Sequence, residues 1–258
     1  MRGLLVAFLL AGCATPPELP AVQHYDTAAL AAMRFQSVIV AGDASINAFE
    51  NAAERLTTDL VRRGGATPAD LQRYSARSPS RRPPGAGLAT VADFLDGVAR
   101  MRPGPNGACL VFATAHGVPR DGLQFPANPS DQQLDAVRLD RALVLGCGNA
   151  PTVVILSGCF SGGYIRPPMT RANRIILTAA RADRPSFGCG AGNVFTEFDD
   201  CLLTALEAAT GAWQNAFAEA RVCVAARERR QNQMPSEPQA WFGPAISTLR
   251  LPWPKSSP

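Results

Sequence analysis

The feature that most constrains this chain is a set of short segments that are apolar from end to end and separated by stretches of helical period. They lie at 35–42, 108–114, 152–157 and 174–179. A strand with one wet face alternates apolar and polar residues, whereas a strand with no wet face lies inside a parallel sheet covered on both sides. Apolar residues at helical spacing fall at about 46–63, with Phe49, Ala53, Leu56, Leu60 and Val61 on one side. The same spacing recurs over 88–101 and 134–145, and two further helices are expected near 196–209 and 212–230. Weaker strand candidates occupy 71–76 and 245–251. The Pro-, Arg- and Gly-rich run 78–87 reads as an exposed loop. The reading is an α/β fold: a three-layer sandwich with a mostly parallel central sheet, in one domain over 34–251 with a short tail over 252–258.

Size and charge narrow the partners. At 258 residues and 47% hydrophobic, the chain has ample material for one large core. The formal net charge is only +4. The basic pairs Arg62-Arg63, Arg81-Arg82 and Arg229-Arg230 are dispersed and lack interleaved aromatics. No nucleic-acid partner is expected from that pattern.

The N-terminus points to export. Arg2 precedes an apolar run over 3–11, too short to cross a bilayer, which takes roughly 20 residues, but suited to the core of a secretion signal. It ends in Leu10-Ala11-Gly12-Cys13, which resembles a bacterial lipoprotein box. The expectation is a signal peptide over 1–12, a lipid on Cys13, and a Pro-rich tether over 13–33 that holds the domain off a membrane. That places the protein at a bacterial cell envelope, facing the periplasm, with Ala14 favouring the outer membrane. Cys13 is one of seven cysteines. Setting aside Cys13 and Cys159 leaves an odd five, so at most two disulfides form among them. Cys189 and Cys201, separated by a short polar segment, are a candidate pair. No clustered spacing suggests a metal site, and neither metal nor cofactor is expected.

In parallel sheets the working groups gather at the carboxyl ends of the strands. Two strong strands here run into unusual loops, Thr114-Ala115-His116-Gly117 and Ser157-Gly158-Cys159-Phe160-Ser161-Gly162-Gly163. Only two histidines exist, and His24 falls in the expected tether. A cysteine attacks as its thiolate, and an ordinary thiol with pKa about 8.5 is a few per cent ionised at neutral pH. An imidazole on the neighbouring strand end would stabilise that thiolate and later protonate a leaving amine. Cys159 and His116 are therefore the catalytic candidates. The amides of Gly117 and Cys159 are candidate oxyanion donors. Glu50, Ser157, Ser186, Glu197 and Asp199 are substrate-pocket candidates, with Glu50, Glu197 and Asp199 able to favour a basic side chain.

Apolar strand then His-Gly, followed by apolar strand then small residue and Cys, is similar to the caspase–hemoglobinase fold. The separation of His116 from Cys159 is near the roughly 50 residues found in caspases. Within that group the chain resembles the legumain-type cysteine peptidases over about 36–205. Val40-Ala41-Gly42 matches their first strand end, and Ser186-Phe187-Gly188-Cys189 matches their segment after the next strand. The resemblance implies a caspase-like peptidase domain that cleaves peptides or proteins through an acyl-thioester. This chain departs from legumain in having Ala115 before His116 and Ser157-Gly158 before Cys159. It also has no clear counterpart of the pocket arginine, so asparagine specificity does not carry over.

Ser161 lacks a GxSxG setting and no histidine follows it, which excludes an α/β-hydrolase triad. No GxGxxG or P-loop opens a helix after a strand, which argues against a nucleotide-binding module. A catalytically silent caspase-like lipoprotein acting as a scaffold, and a transpeptidase using the same pair, remain as alternatives.

Overall fold

A computed structural model of the protein describes residues 25–253 except 121, 191 and 210. The expected signal peptide, Cys13, His24 and most of the expected tether lie outside those residues. A short helix α1 (Thr27–Ala31) leads into strand β1 (Arg34–Ala41) and helix α2 (Asn47–Arg62). Strands β2 (Leu71–Ser75) and β3 (Gly87–Leu88) precede helix α3 (Val91–Ala99) and strand β4 (Gly107–Thr114). Three very short strands follow, β5 (Gly117–Val118), β6 (Gly122–Gln124) and β7 (Gln133–Leu134), then helix α4 (Ala136–Cys147). Strands β8 (Thr152–Ser157) and β9 (Arg174–Thr178), helices α5 (Glu197–Ala208) and α6 (Trp213–Arg230), and strand β10 (Gln239–Phe242) complete the order.

The main sheet has seven strands in the order β10-β9-β8-β4-β1-β2-β3, all parallel except β10. Side chains alternate between its two faces, so an apolar strand feeds two cores at once. In β4, Ala108, Leu110 and Phe112 enter one core with the inner faces of α2, α5 and α6. Cys109, Val111 and Ala113 enter the other with α3 and α4. β8 divides likewise, Val153 and Ile155 against Val154 and Leu156. That is the expected three-layer sandwich.

Helix starts follow local capping. The Thr90 hydroxyl accepts from the Asp93 amide, so α3 opens there and not at 88, while Leu88 pairs with Ser75 as strand. Asp135 accepts from the amides of Val137 and Arg138, which starts α4 after Leu134. The strand expected at 245–251 does not form. Ile246, Leu249 and Leu251 are buried as turns against the α5–α6 face, and the closing strand is β10, antiparallel to β9. Gly243 follows it, where a Cβ would press on the carbonyls of Arg171 and Ala172.

The folded body reaches past both expected boundaries. Leu30 and Met33 are buried in the core, and Trp253 packs on it while donating its indole N–H to the Leu206 carbonyl. Two disulfides form among the described residues. Cys109 of β4 joins Cys147 at the end of α4, and Cys201 of α5 joins Cys223 of α6. The expected Cys189–Cys201 bond is thus replaced. Cys201 sits on the inward face of α5, beside α6, while Cys189 lies in the loop before that helix.

Candidate active site

Three central strands end level with one another. Ala41 of β1 is paired with Thr114 of β4, and Thr114 with Ser157 of β8. Two residues past the last pair lie His116 and Cys159, so the sheet register delivers both to one edge. The two loops are in backbone contact. A Cβ at Gly117 would collide with the Cys159 carbonyl oxygen, and one at Gly158 would lie 2.6 Å from the Ala115 oxygen. Only glycine permits that approach at each position. Phe160, next to the cysteine, adopts left-handed φ of 60°, which turns the chain sharply into the 3-10 turn Ser161–Tyr164. Ser161 is wholly buried, its hydroxyl accepting from the amides of Ala179 and Ala180, so it is a brace for the loop.

The loop after β1 completes the site. The Asp43 carboxylate accepts from the Ser45 amide at 2.6 Å, an Asx-type turn that presents Ser45 to His116. Ser45 Oγ lies 3.4 Å from His116 Nε2. The imidazole also meets Phe49 of α2 edge to face, ring centres 5.2 Å apart. Neither Ser45 nor Phe49 as an imidazole contact emerges from the sequence; the Asp43-x-Ser45 spacing is the available signal.

Around Cys159 the sulfur accepts from the Ser186 amide at 3.3 Å and from its hydroxyl at 3.7 Å, and the protonated thiol donates to the Ser186 carbonyl at 3.5 Å. The Cys159 pKa is lowered to about 6, first by a hydrogen bond from the Cys189 thiol, then by the Ser186 donors and the charge of His116, against the opposing effect of burial. Cys189 is pushed strongly up, because it keeps its proton beside that thiolate and is itself half-buried. Cys159 and Cys189 are the free cysteines among the described residues.

The remaining pocket candidates sort differently. Ser186 does stand at the sulfur. Ser157 and Asp199 lie beneath the site, both buried: Asp199 accepts from Thr114 Oγ1 at 2.8 Å. Burial raises the Asp199 carboxyl to about 6. Glu50 is buried and held by Arg73 Nη2 at 2.5 Å and Ser75 Oγ at 2.5 Å. Glu197 is bonded by Arg227 at 3.2 Å and Gln231 at 2.6 Å. With two of these carboxylates neutralised by arginines and the third sealed from solvent, the three do not form the expected acidic pocket. On the other side of the cysteine loop a cavity of about 480 Å³ opens, walled by Phe160, Tyr164 and Ala182 and carrying Arg120 and Arg166. Among the described residues, no cluster of three His, Cys, Asp or Glu is arranged to hold a metal.

A thiol of lowered pKa and an imidazole that the strand register brings to the same sheet edge are the two groups that a cysteine nucleophile and its acid–base partner require. The sequence matches the family model described as the peptidase C13 family over residues 96–248, a span containing both loops. A search of curated proteins returns no match. Among solved structures, caspase-1 from Spodoptera frugiperda is similar over 90% of this chain and 94% of its own, with a TM-score of 0.56 and 13% identity. At that identity the likeness is one of fold.

Proposed function

This chain belongs to the peptidase C13 family, the legumain family of cysteine peptidases, and on that premise we propose that Cys159 is its nucleophile and His116 its acid–base partner. The observation that carries the reading is the level pairing of Thr114 with Ser157, which sets the two loops side by side with Gly117 against Cys159.

The Cys159 thiolate attacks the carbonyl carbon of a peptide bond, and the oxyanion that forms is held by the amides of Gly117 and Cys159. His116 gives its proton to the departing amine, leaving an acyl-thioester. Water, deprotonated by His116, then attacks the thioester and frees the enzyme. Ser45 and Phe49 fix the imidazole between these roles. The substrate is a peptide or protein segment laid across the strand edge, with the Ser186 loop on one side of the sulfur and the cavity at Phe160 on the other. Neutralisation of Glu50 and Glu197 removes the basis for preferring a basic side chain.

A peptide-library digest followed by mass spectrometry tests this. Wild type should cut at a defined residue type, Cys159→Ala should not cut, and His116→Ala should slow by roughly 10²–10⁴-fold, the usual worth of a positioned acid–base group. Cutting by Cys159→Ala at the wild-type rate contradicts the assignment, and absence of any cutting by wild type favours the scaffold reading.

The proposal extends to location: a lipid on Cys13 holds the domain at a bacterial envelope, supported by the Leu10-Ala11-Gly12-Cys13 box. Among the described residues no helix is long and apolar enough to cross a membrane. In cells expressing the full chain, Cys13→Ala should move the protein from the membrane fraction to the soluble one. Unchanged membrane association would overturn the anchor.

A further inference from the structure

Two unpaired cations face one hollow beside the cysteine loop. The cavity of about 480 Å³ lies between the two turns that carry His116 and Cys159. The β5–β6 hairpin, which follows His116, supplies Arg120 and Gly122. The 3-10 turn that follows Cys159 supplies Gly163 and Tyr164, with Phe160 before it and Arg166 just beyond. Neighbouring arginines are committed elsewhere: Arg138 to Asp131, Arg181 to Asp183 and Glu237, and Arg184 to Glu237. Arg120 and Arg166 are exposed, and neither joins an ion pair among the described residues. The carboxylate in the wall is Asp135, whose Oδ1 already accepts from the amides of Val137 and Arg138, each at 2.9 Å. Two cations against one carboxylate leave the hollow net positive.

The walls are set by the fold itself. The Tyr164 hydroxyl, buried, accepts from the Leu123 amide at 2.9 Å and donates to the Leu134 carbonyl, which ties the turn after Cys159 to the small sheet. A Cβ at Gly122 would strike that hydroxyl, so the hairpin closes directly onto it. Among the described residues four non-glycines have left-handed φ, and two of them stand at this cavity, Arg120 at 70° and Phe160 at 60°. Such a backbone is uphill for a residue with a side chain and persists where its surroundings hold it, a situation that clusters at ligand sites.

We propose that this cavity takes an acidic side chain of the substrate, Asp or Glu, from the part of the peptide beyond the cut, with Arg120 and Arg166 as the residues that determine the preference. This rests on the reading of Cys159 and His116 as the reactive pair and adds a substrate class to it. His116 hands its proton to the departing amine, so the segment that leaves with that amine passes over His116 and the hairpin behind it. An extended chain advances about 3.3 Å per residue, and a cavity bordered by the residue next to Cys159 is reached within about three residues of the cut. The volume has room for a side chain and a stretch of backbone. A guanidinium fork meets a carboxylate with paired N–H donors, whereas an ammonium in the same hollow is repelled.

The test uses the full chain and internally quenched peptides built on one sequence, all with amidated C-termini. Asp, Asn and Lys are placed in turn at each position just beyond the cut. At one position the Asp peptide should exceed its Asn twin in kcat/KM by roughly 3–30-fold, the worth of two partly exposed charge pairs, and the Lys peptide should fall below both. The Asp-to-Asn ratio should shrink in raised salt and drop to about 1 in the Arg120→Ala/Arg166→Ala double variant. Taken within each variant, the ratio does not depend on how much protein folds. Arg166→Glu should invert the preference in favour of Lys. Equal rates for Asp and Asn at every position in wild type, or a ratio that survives in the double variant, overturns the inference. So does a gain that needs a free C-terminal carboxylate in place of the side chain. The two readings fail separately, because binding needs no turnover. In fluorescence anisotropy, labelled Asp peptides should bind Cys159→Ala several-fold more tightly than Asn peptides, and equal affinity ends the acidic preference alone. Cleavage that persists in Cys159→Ala ends the nucleophile assignment and leaves the cavity to be judged by that affinity ratio.

Discussion

At Cys159, the largest influence holding the thiol near a pKa of about 6 is the hydrogen bond from Cys189, ahead of Ser186 and His116. A group held below its ordinary value stays charged down to the lower pKa, so the thiolate should predominate above pH 6 and be lost below it. The rate of alkylation of Cys159 should therefore rise with pH about a midpoint near 6, and Cys189→Ala should move that midpoint up towards the ordinary thiol range. An unmoved midpoint would deny Cys189 this role. Asp199 is the opposite case. Its carboxyl is raised to about 6 by complete burial, so it favours the fold while protonated, and that contribution is lost as pH rises through about 6. Relieving that burial of the carboxyl amounts to roughly 3 kcal/mol at most. Asp199→Asn should accordingly raise stability against urea at pH 8 and make little difference at pH 4. That His116 and Cys159 share one sheet edge was legible because each follows an apolar strand within two residues. Ser45, Phe49 and the true setting of Cys189 were not, because their contacts cross between loops that only the folded register brings together.

Among the elements, the site depends on β1, β4 and β8 ending level and on the glycines that let their loops touch. Adding a methyl group at Gly117 would drive it into the Cys159 carbonyl. Gly117→Ala should lose about 1–3 kcal/mol of stability, the usual cost of overpacking, together with most peptide cleavage. Further from the site, Arg174 at the start of β9 is 1% exposed and paired with Asp140 of α4 at 2.6 Å. Removing the partner strands a buried cation, so Asp140→Ala should cost about 3–5 kcal/mol in a denaturant titration. The long strands and helices were readable from period alone. The sheet β5-β6-β7 was not, since strands of two or three residues are too short to show one. The misplaced last strand has a similar cause: the run 245–251 is apolar because it packs against helices, while β10 is half-buried and mixed in composition.

Over the whole molecule, one disulfide lies on each side of the sheet: Cys109–Cys147 ties β4 to α4, and Cys201–Cys223 ties α5 to α6. Replacing either pair by alanines should lower stability by about 2–4 kcal/mol, read from the urea midpoint at fixed slope. The odd-cysteine arithmetic correctly required an unpaired thiol, but which cysteine it would be depended on how α5 lies on α6. Fold class followed from apolar strands alternating with helices, and the family from the loops two of those strands carry. What joins these scales is the proposal that the Cys159 sulfur attacks a carbonyl with His116 as its acid–base partner. The most direct measurement is site-mapped labelling by a peptidyl electrophile that mimics the acyl-enzyme. The account predicts a single adduct on Cys159, absent in Cys159→Ala and formed far more slowly in His116→Ala. An adduct on another residue, or equal labelling of wild type and His116→Ala, would contradict it.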